Sequence, residues 1–282
     1  MLKQRVITAL ALLALLLPAL FASQPWPFMA LTVLLMAAGA WEWGRLNGVH
    51  PVQAWLGALL CLAACLLAQQ VGWVQSTPPQ LWLLAGAMWV LLGAWMIHRG
   101  VSAWALWPRP LRWGAGLMLL ALAWLALAQG HHRGVNFLLS VLVLVWAADV
   151  FAYFFGRALG GQWIAAKLAP AISPGKSWEG VLGGMLGVFL VSWAWTVFDQ
   201  TQAVTEPSFY TLLWTQGAWV AVPALLLMSA MSVVGDLVES LVKRSAGMKD
   251  SSGLLPGHGG VLDRVDALLP TLPLAMMLVA WI

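Results

Sequence analysis

The sequence has 282 residues, 62% of them apolar and only 9% charged, with a formal net charge of +4 and a mean hydropathy of +0.85. An ordinary soluble domain carries roughly 25% charged residues. That excludes a soluble globular chain, and the same composition excludes a disordered chain, a disulfide-rich secreted domain and a porin-type barrel.

What fits is an all-α polytopic membrane protein. A spanning helix needs about 20 mostly apolar residues. Apolar runs and turn residues give about nine candidate spans, at 6–22, 27–44, 52–72, 81–97, 113–129, 135–155, 178–197, 217–236 and 266–282. The first follows Lys3 and Arg5 and could be read as a signal peptide. No small-x-small cleavage site follows it, so a retained helix is expected. Span two ends at Trp41-Glu42-Trp43-Gly44-Arg45, where Glu42 reads as an interfacial anchor with a local partner. Span three holds Cys61 and Cys65, four apart on one helix face and read as small buried hydrophobes. Pro78-Pro79 precedes span four, and Pro108 and Pro110 precede span five. His131 and His132 occupy the next loop without an acidic neighbour.

Span six carries Asp149 in its interior. A carboxylate at the bilayer centre costs about 2.5–3.5 kcal/mol on insertion scales, so it is expected to face a wet cavity or a cation. Ser173-Pro174-Gly175-Lys176-Ser177-Trp178-Glu179-Gly180 leads into span seven. Gly175-Lys176-Ser177 looks like the end of a phosphate-binding P-loop, but Pro170 stands where that motif needs glycine, and no strand precedes it. The local chemistry still suits an anion, because Ser177 can cap the helix and Lys176 adds charge. Asp199 and Glu206 lie in the connection 198–216, where Asp199→Asn is expected to be silent.

The densest polar segment runs from Asp236 to Asp266. Asp236, Glu239 and Lys243 share one helix face, and Asp263 and Asp266 share another. Between them lies a loop with Gly253, Gly257, Gly259 and Gly260, which permits close backbone approach to a ligand. Hard oxygen donors on either side of such a loop suit Mg²⁺. The lysines and arginines suit phosphates.

With the N-terminus placed in the cytoplasm, all but one of the 14 Lys and Arg residues fall on the inner side; the exception is Arg133. This positive-inside bias supports nine spans, N-terminus in. The chain divides into 1–75 (spans one to three), 76–130 (spans four and five) and 131–282 (spans six to nine with the polar loops). No internal repeat is visible, so the inverted-repeat plan of many transporters has no support. No basic stripe suggests a nucleic-acid partner.

Ser240-x-x-Lys243-Arg244, then Lys249-Asp250, then His258-Gly259-Gly260-x-x-Asp263-Arg264-x-Asp266 resembles the signature of the phosphatidate cytidylyltransferases, or CDP-diacylglycerol synthases. Asp149 with Tyr153, Gly156 and Arg157, the 173–180 segment, and Gly235-Asp236-Leu237 with Glu239-Ser240 also resemble that family. The resemblance covers about 145–266. It implies the reaction of CTP with phosphatidic acid to give CDP-diacylglycerol and diphosphate, with Mg²⁺, in a homodimer of a bacterial-type cytoplasmic (inner) membrane. It implies that Asp236 and Asp263 hold Mg²⁺, while Asp149, Asp250 and Asp266 complete the polar site or a second cation site. Lys176, Ser177, Lys243, Arg244, Lys249, His258, Gly259, Gly260 and Arg264 would then meet the substrates. Two other readings stay open: a transporter or channel with acids along an ion path, and a sister enzyme that activates another lipid phosphate with CTP.

Overall fold

A backbone amide inside hydrocarbon has no water to bond, and a helix satisfies its donors and acceptors internally. The computed structural model describes residues 2–282, and the long apolar runs are helical throughout. In chain order the helices are α1 (Leu2–Leu20), α2 (Trp26–Leu46), α3 (Pro51–Gln70), α4 (Pro79–Arg99), α5 (Val101–Leu106), α6 (Arg109–Arg133), α7 (Val135–Leu159), α8 (Trp178–Thr201), α9 (Phe209–Thr215), α10 (Ala218–Ser245), α11 (Leu262–Val265) and α12 (Leu268–Val279). Among the described residues there are no strands. Two isolated bridges, Ala169–Ser173 and Leu255–Gly259, close turns in the two long loops.

Among the described residues, seven helices are long and apolar enough to cross a membrane: α1, α3, α4, α6, α7, α8 and α10. The chain is therefore a multi-pass helical membrane protein. α2 and α12 are not among the seven. α2 closes on the Trp41–Arg45 cluster, which carries Glu42 and Arg45. α12 has 12 residues, about 18 Å at 1.5 Å per residue, against a hydrocarbon core of about 30 Å. The expected span 266–282 is thus a short buried helix preceded by a break at Asp266-Ala267. The short helices α5, α9 and α11 stand where the sequence pattern gives only loops.

Buried α12 packs against α4, α6 and α10 and forms the centre of the bundle. α7 and α8 form the tightest pair. Gly180, Gly183, Gly184 and Gly187 line one face of α8, and a Cβ on Gly184 would stand 2.8 Å from the Ala148 carbonyl. Cβ atoms on Gly183 and Gly187 would run into the Phe155 and Phe151 rings. Cys61 and Cys65 are buried and free, as small hydrophobes should be.

Side-chain bonds sort the loops into two ends. At one end Trp104 donates to Asn47, Trp43 to the Arg112 carbonyl, and Arg5 to the Gly257 carbonyl. At the other, Gln129 donates to Thr77 and the Trp73 carbonyl, Asn136 donates to the Glu206 carbonyl, and His131 stacks on Phe28 with centroids 4.5 Å apart.

The second end corrects one expectation. Asp199 is not a free loop acid. It is 5% exposed, and it accepts bonds from Asn136 Nδ2 (3.0 Å), the Ser208 amide (2.9 Å) and Thr211 Oγ1 (2.7 Å). Those donors tie α7, α8 and the start of α9 together. Ser208 in turn caps α9 by accepting from the Thr211 amide. A silent Asp199→Asn is therefore not expected.

Candidate active site

At the first end, a cavity of about 600 Å³ opens between α7, α8 and α10. Its walls carry Asp149, Tyr153, Gly156 and Arg157 from α7, Gly175 and Lys176 from the preceding loop, Ser177 and Gly180 at the α8 start, and Asp236 from α10. Asp149 lies on the order of 15 Å along α7 from its Leu159 end, and its side chain faces the cavity. The cavity therefore reaches down between the helices rather than resting on the loops.

The loop before α8 is held in place from below. Glu179, fully buried, accepts from the Trp163 amide (3.0 Å) and the Ile164 amide (2.9 Å). Ser177 caps α8 by accepting from the Gly180 amide at 3.2 Å. That leaves Lys176 reaching across the mouth to Asp236, with Nζ 2.6 Å from Oδ2. Both side chains stay partly exposed, at 25% and 34%.

Gly235 explains how Asp236 arrives there. A Cβ on Gly235 would meet the Asp266 carbonyl and the Pro270 ring, so only glycine lets α10 press against the turn into α12. Asp266 follows, accepting from the Ala267 amide at 2.7 Å. Asp149, Asp236 and Asp266 come within electrostatic reach of one another, with Lys176 and Lys243 nearby.

Beside this open cluster lies a closed one. Lys243 Nζ sits 2.5 Å from Glu239 Oε2 and 2.5 Å from Asp263 Oδ1. The other Asp263 oxygen accepts from the Ser251 amide (2.9 Å), Ser251 Oγ (2.8 Å) and the Gly260 amide (2.7 Å). Burial alone would raise the Asp263 carboxyl. The Lys243 ammonium and the Gly260 and Ser251 amides outweigh it and hold the group below the usual carboxylate range. Gly259 has φ +81°, and a Cβ there would stand 2.6 Å from Asp263 Oδ2, so left-handed backbone and close approach both require glycine.

The remaining loop residues divide by exposure. Lys249 and Asp250 are exposed, and Asp250 lies next to Gly259. Arg244 is exposed and donates to the Met248 carbonyl. Arg264 donates twice to the His258 carbonyl, at 3.1 and 2.7 Å, while His258 Nδ1 is buried with no partner among the described residues. The expected residues thus gather at one end of the bundle, in two neighbouring groups. Asp236 and Asp149 face the cavity, and Asp263 faces the loop.

Sequence reasoning missed Glu42. Its side chain is fully buried, and Arg45 is not its partner: Arg45 turns outward over the Trp41 ring, 4.7 Å from its centroid. Glu42 instead accepts four bonds from residues 251–262. The one local clue is an acid in an apolar helix, and Arg45 at i+3 conceals it.

The oxygen donors fit a hard divalent cation. Mg²⁺ typically takes one or two carboxylates and completes its shell with water and substrate phosphate. Asp236 offers a partly exposed carboxylate with a cation, Lys176, already against it. Among the described residues no three His, Cys, Asp or Glu side chains converge closely enough to cage an ion unaided.

Helices able to cross a bilayer, with an acid- and base-lined cavity at one end, define a multi-pass membrane protein built to handle a charged ligand at the membrane surface. The chain belongs to the cytidylyltransferase family, whose model matches residues 3–282. It is 38% identical to a phosphatidate cytidylyltransferase of Pseudomonas aeruginosa over 281 residues, 97% of this chain and 95% of that one. It is 35% identical to one of Haemophilus influenzae over 293 residues, 97% of this chain and 96% of that one. A Brucella abortus phosphatidate cytidylyltransferase is 40% identical over 193 residues, 66% of this chain and 60% of that one.

Proposed function

We propose that this protein transfers CMP from CTP to phosphatidic acid, giving CDP-diacylglycerol and diphosphate, at the cavity between α7, α8 and α10. The observation that carries the reading is the cavity itself. It sets acids and bases together in one space that begins at the loops and reaches between helices. A lipid phosphate and a soluble nucleotide can meet only at such a place.

Little covalent work falls to the protein. A phosphomonoester has its second pKa near 6, so the attacking lipid phosphate is largely ionised at neutral pH without a general base. The chain has to position two polyanions and offset their charge. Lys176 stands at the cavity mouth, where it can leave Asp236 for a phosphate oxygen. Arg157 lines the same cavity from α7. Ser177 caps the α8 start, which lines the same cavity. Lys243, Arg244, Lys249, His258 and Arg264, with the Gly259-Gly260 backbone, form the second phosphate-binding side. Asp236 and Asp263 would hold Mg²⁺. Of the two, Asp236 is the open one, and Asp263 has Lys243 against one oxygen and the loop on the other. When bound, Mg²⁺ would neutralise charge on the nucleotide phosphates as diphosphate leaves. Asp149, Asp250 and Asp266 would complete the polar site or hold a second cation.

The protein would work as a nine-span homodimer in a bacterial-type cytoplasmic membrane, with the N-terminus and the cavity end inside. Ala166→Cys and Thr205→Cys, both at exposed positions, should label from opposite sides. Light scattering in detergent should give the mass of two chains. Purified protein given a panel of nucleotides and lipid phosphates should release diphosphate with CTP and phosphatidic acid. Release with another lipid phosphate alone would identify a sister enzyme, and no release with any pair would reopen a transport role.

A further inference from the structure

Glu42 stands on α2, in the half of the chain that carries little other chemistry, and all its bonds lead into the polar loop. One oxygen accepts from Ser252 Oγ (2.5 Å) and the Val261 amide (3.0 Å). The other accepts from Ser251 Oγ (3.1 Å) and the Leu262 amide (2.8 Å). Val261 and Leu262 are the first residues of the turn that presents Asp263. Ser251 Oγ also lies 2.8 Å from Asp263, so one hydroxyl touches both carboxylates. Gly260 is glycine for the same reason: a Cβ there would collide with Ser251 Oγ and with the Glu42 carboxylate. Among the described residues Glu42 has no cation within ion-pair distance, and its four side-chain bonds all go to this loop.

We propose that Glu42 is a positioning residue for nucleotidyl transfer: through Ser251 and the α11 amides it sets where Asp263, and with it Lys243, stand. The role rests on the reading that Asp263 and Lys243 belong to the reaction centre. The α2 helix then serves as the rigid wall against which the loop is registered. Two exposed bonds from α1 act in the same sense, from Arg5 to the Gly257 carbonyl (3.0 Å) and from Thr8 to the Pro256 carbonyl (2.8 Å).

Glu42→Gln tests the proposal. The amide keeps the volume, but its NH₂ must face the Val261 or the Leu262 amide, donor against donor. The loop should shift without unfolding the bundle. Misplacement by about 1 Å can cost on the order of 100-fold, so kcat per folded molecule should fall by at least about tenfold. KM for CTP and for lipid should change little. Ser251→Ala cuts the link between the two carboxylates and should lower kcat by a smaller factor, again at near-constant KM. A merely structural Glu42 would lower yield and melting temperature and leave kcat in place. Should Glu42→Gln fail to reach the membrane, Ser251→Ala decides alone. Asp263→Asn is run beside them. If it keeps activity, the assignment of Asp263 to the reaction fails. If it is inactive while Glu42→Gln and Ser251→Ala keep wild-type kcat, the positioning role alone is wrong.

Discussion

The two ends of the bundle both bury carboxylates, and they use them differently. Asp199, at the end opposite the cavity, has three donors on its oxygens and almost no exposure. It holds three helices together and has nothing left to offer a ligand. Asp236, at the cavity, is a third exposed, and its partners are the Lys176 ammonium and the Ser240 hydroxyl. Asp149 faces the same space. A saturated carboxylate is a structural pin, and an unsaturated one facing a wet cavity is available for chemistry. Asp263 combines the two, being pinned by the loop on one oxygen and held by the Lys243 ammonium on the other.

The largest expected effect comes from withholding the proposed Mg²⁺. Chelation of purified protein with EDTA should abolish diphosphate release, and added Mg²⁺ should restore it. The melting temperature should barely move, because the open acids hold little of the fold. Next, Asp236→Asn should lower kcat by on the order of 10²–10³, the range seen when one preorganised electrostatic group is lost. Its thermal stability should match the wild type, as judged by a melting curve in detergent.

A smaller effect is expected at the cavity mouth. Lys176→Ala removes one charge-assisted bond worth about 1.5 kcal/mol, or about tenfold in kcat/KM. The loss should fall on the apparent affinity for one substrate more than the other. Equal, unchanged kinetics for CTP and phosphatidic acid would leave Lys176 as a partner of Asp236 only. The smallest kinetic effect belongs to Asp199→Asn. It should cost about 1–3 kcal/mol of stability, because an amide cannot accept all three bonds, while kcat per folded molecule stays the same. A catalytic defect there would erase the distinction between the two ends.

The helices were legible because a bilayer tolerates few alternatives, and a long apolar run has one stable outcome. The polar loop was legible because its residues sit close together in sequence. The bounds of the last apolar run were only partly legible: it reads as continuous from Asp266, but the break at Asp266-Ala267 leaves the 12-residue α12, buried among α4, α6 and α10. Asp199 was misjudged because its donors come from α7 and α9, though Ser208 followed by Thr211 already spelled a helix cap. Glu42 was hidden more deeply. Its donors lie 209 to 220 residues away, and no local pattern announces a bond that tertiary packing alone creates. Registration of one half of the chain on the other is what hydropathy and spacing cannot carry.

One measurement bears most directly on the contrast between the two ends. Wild-type protein, Asp236→Asn and Asp199→Asn are purified side by side, and diphosphate release from CTP and phosphatidic acid vesicles is followed per folded molecule. The wild type and Asp199→Asn should turn over alike, and Asp236→Asn should be slower by at least about 100-fold. Turnover of Asp236→Asn within a few-fold of the wild type, or Asp199→Asn as slow as Asp236→Asn, would contradict the assignment of the open acids to catalysis.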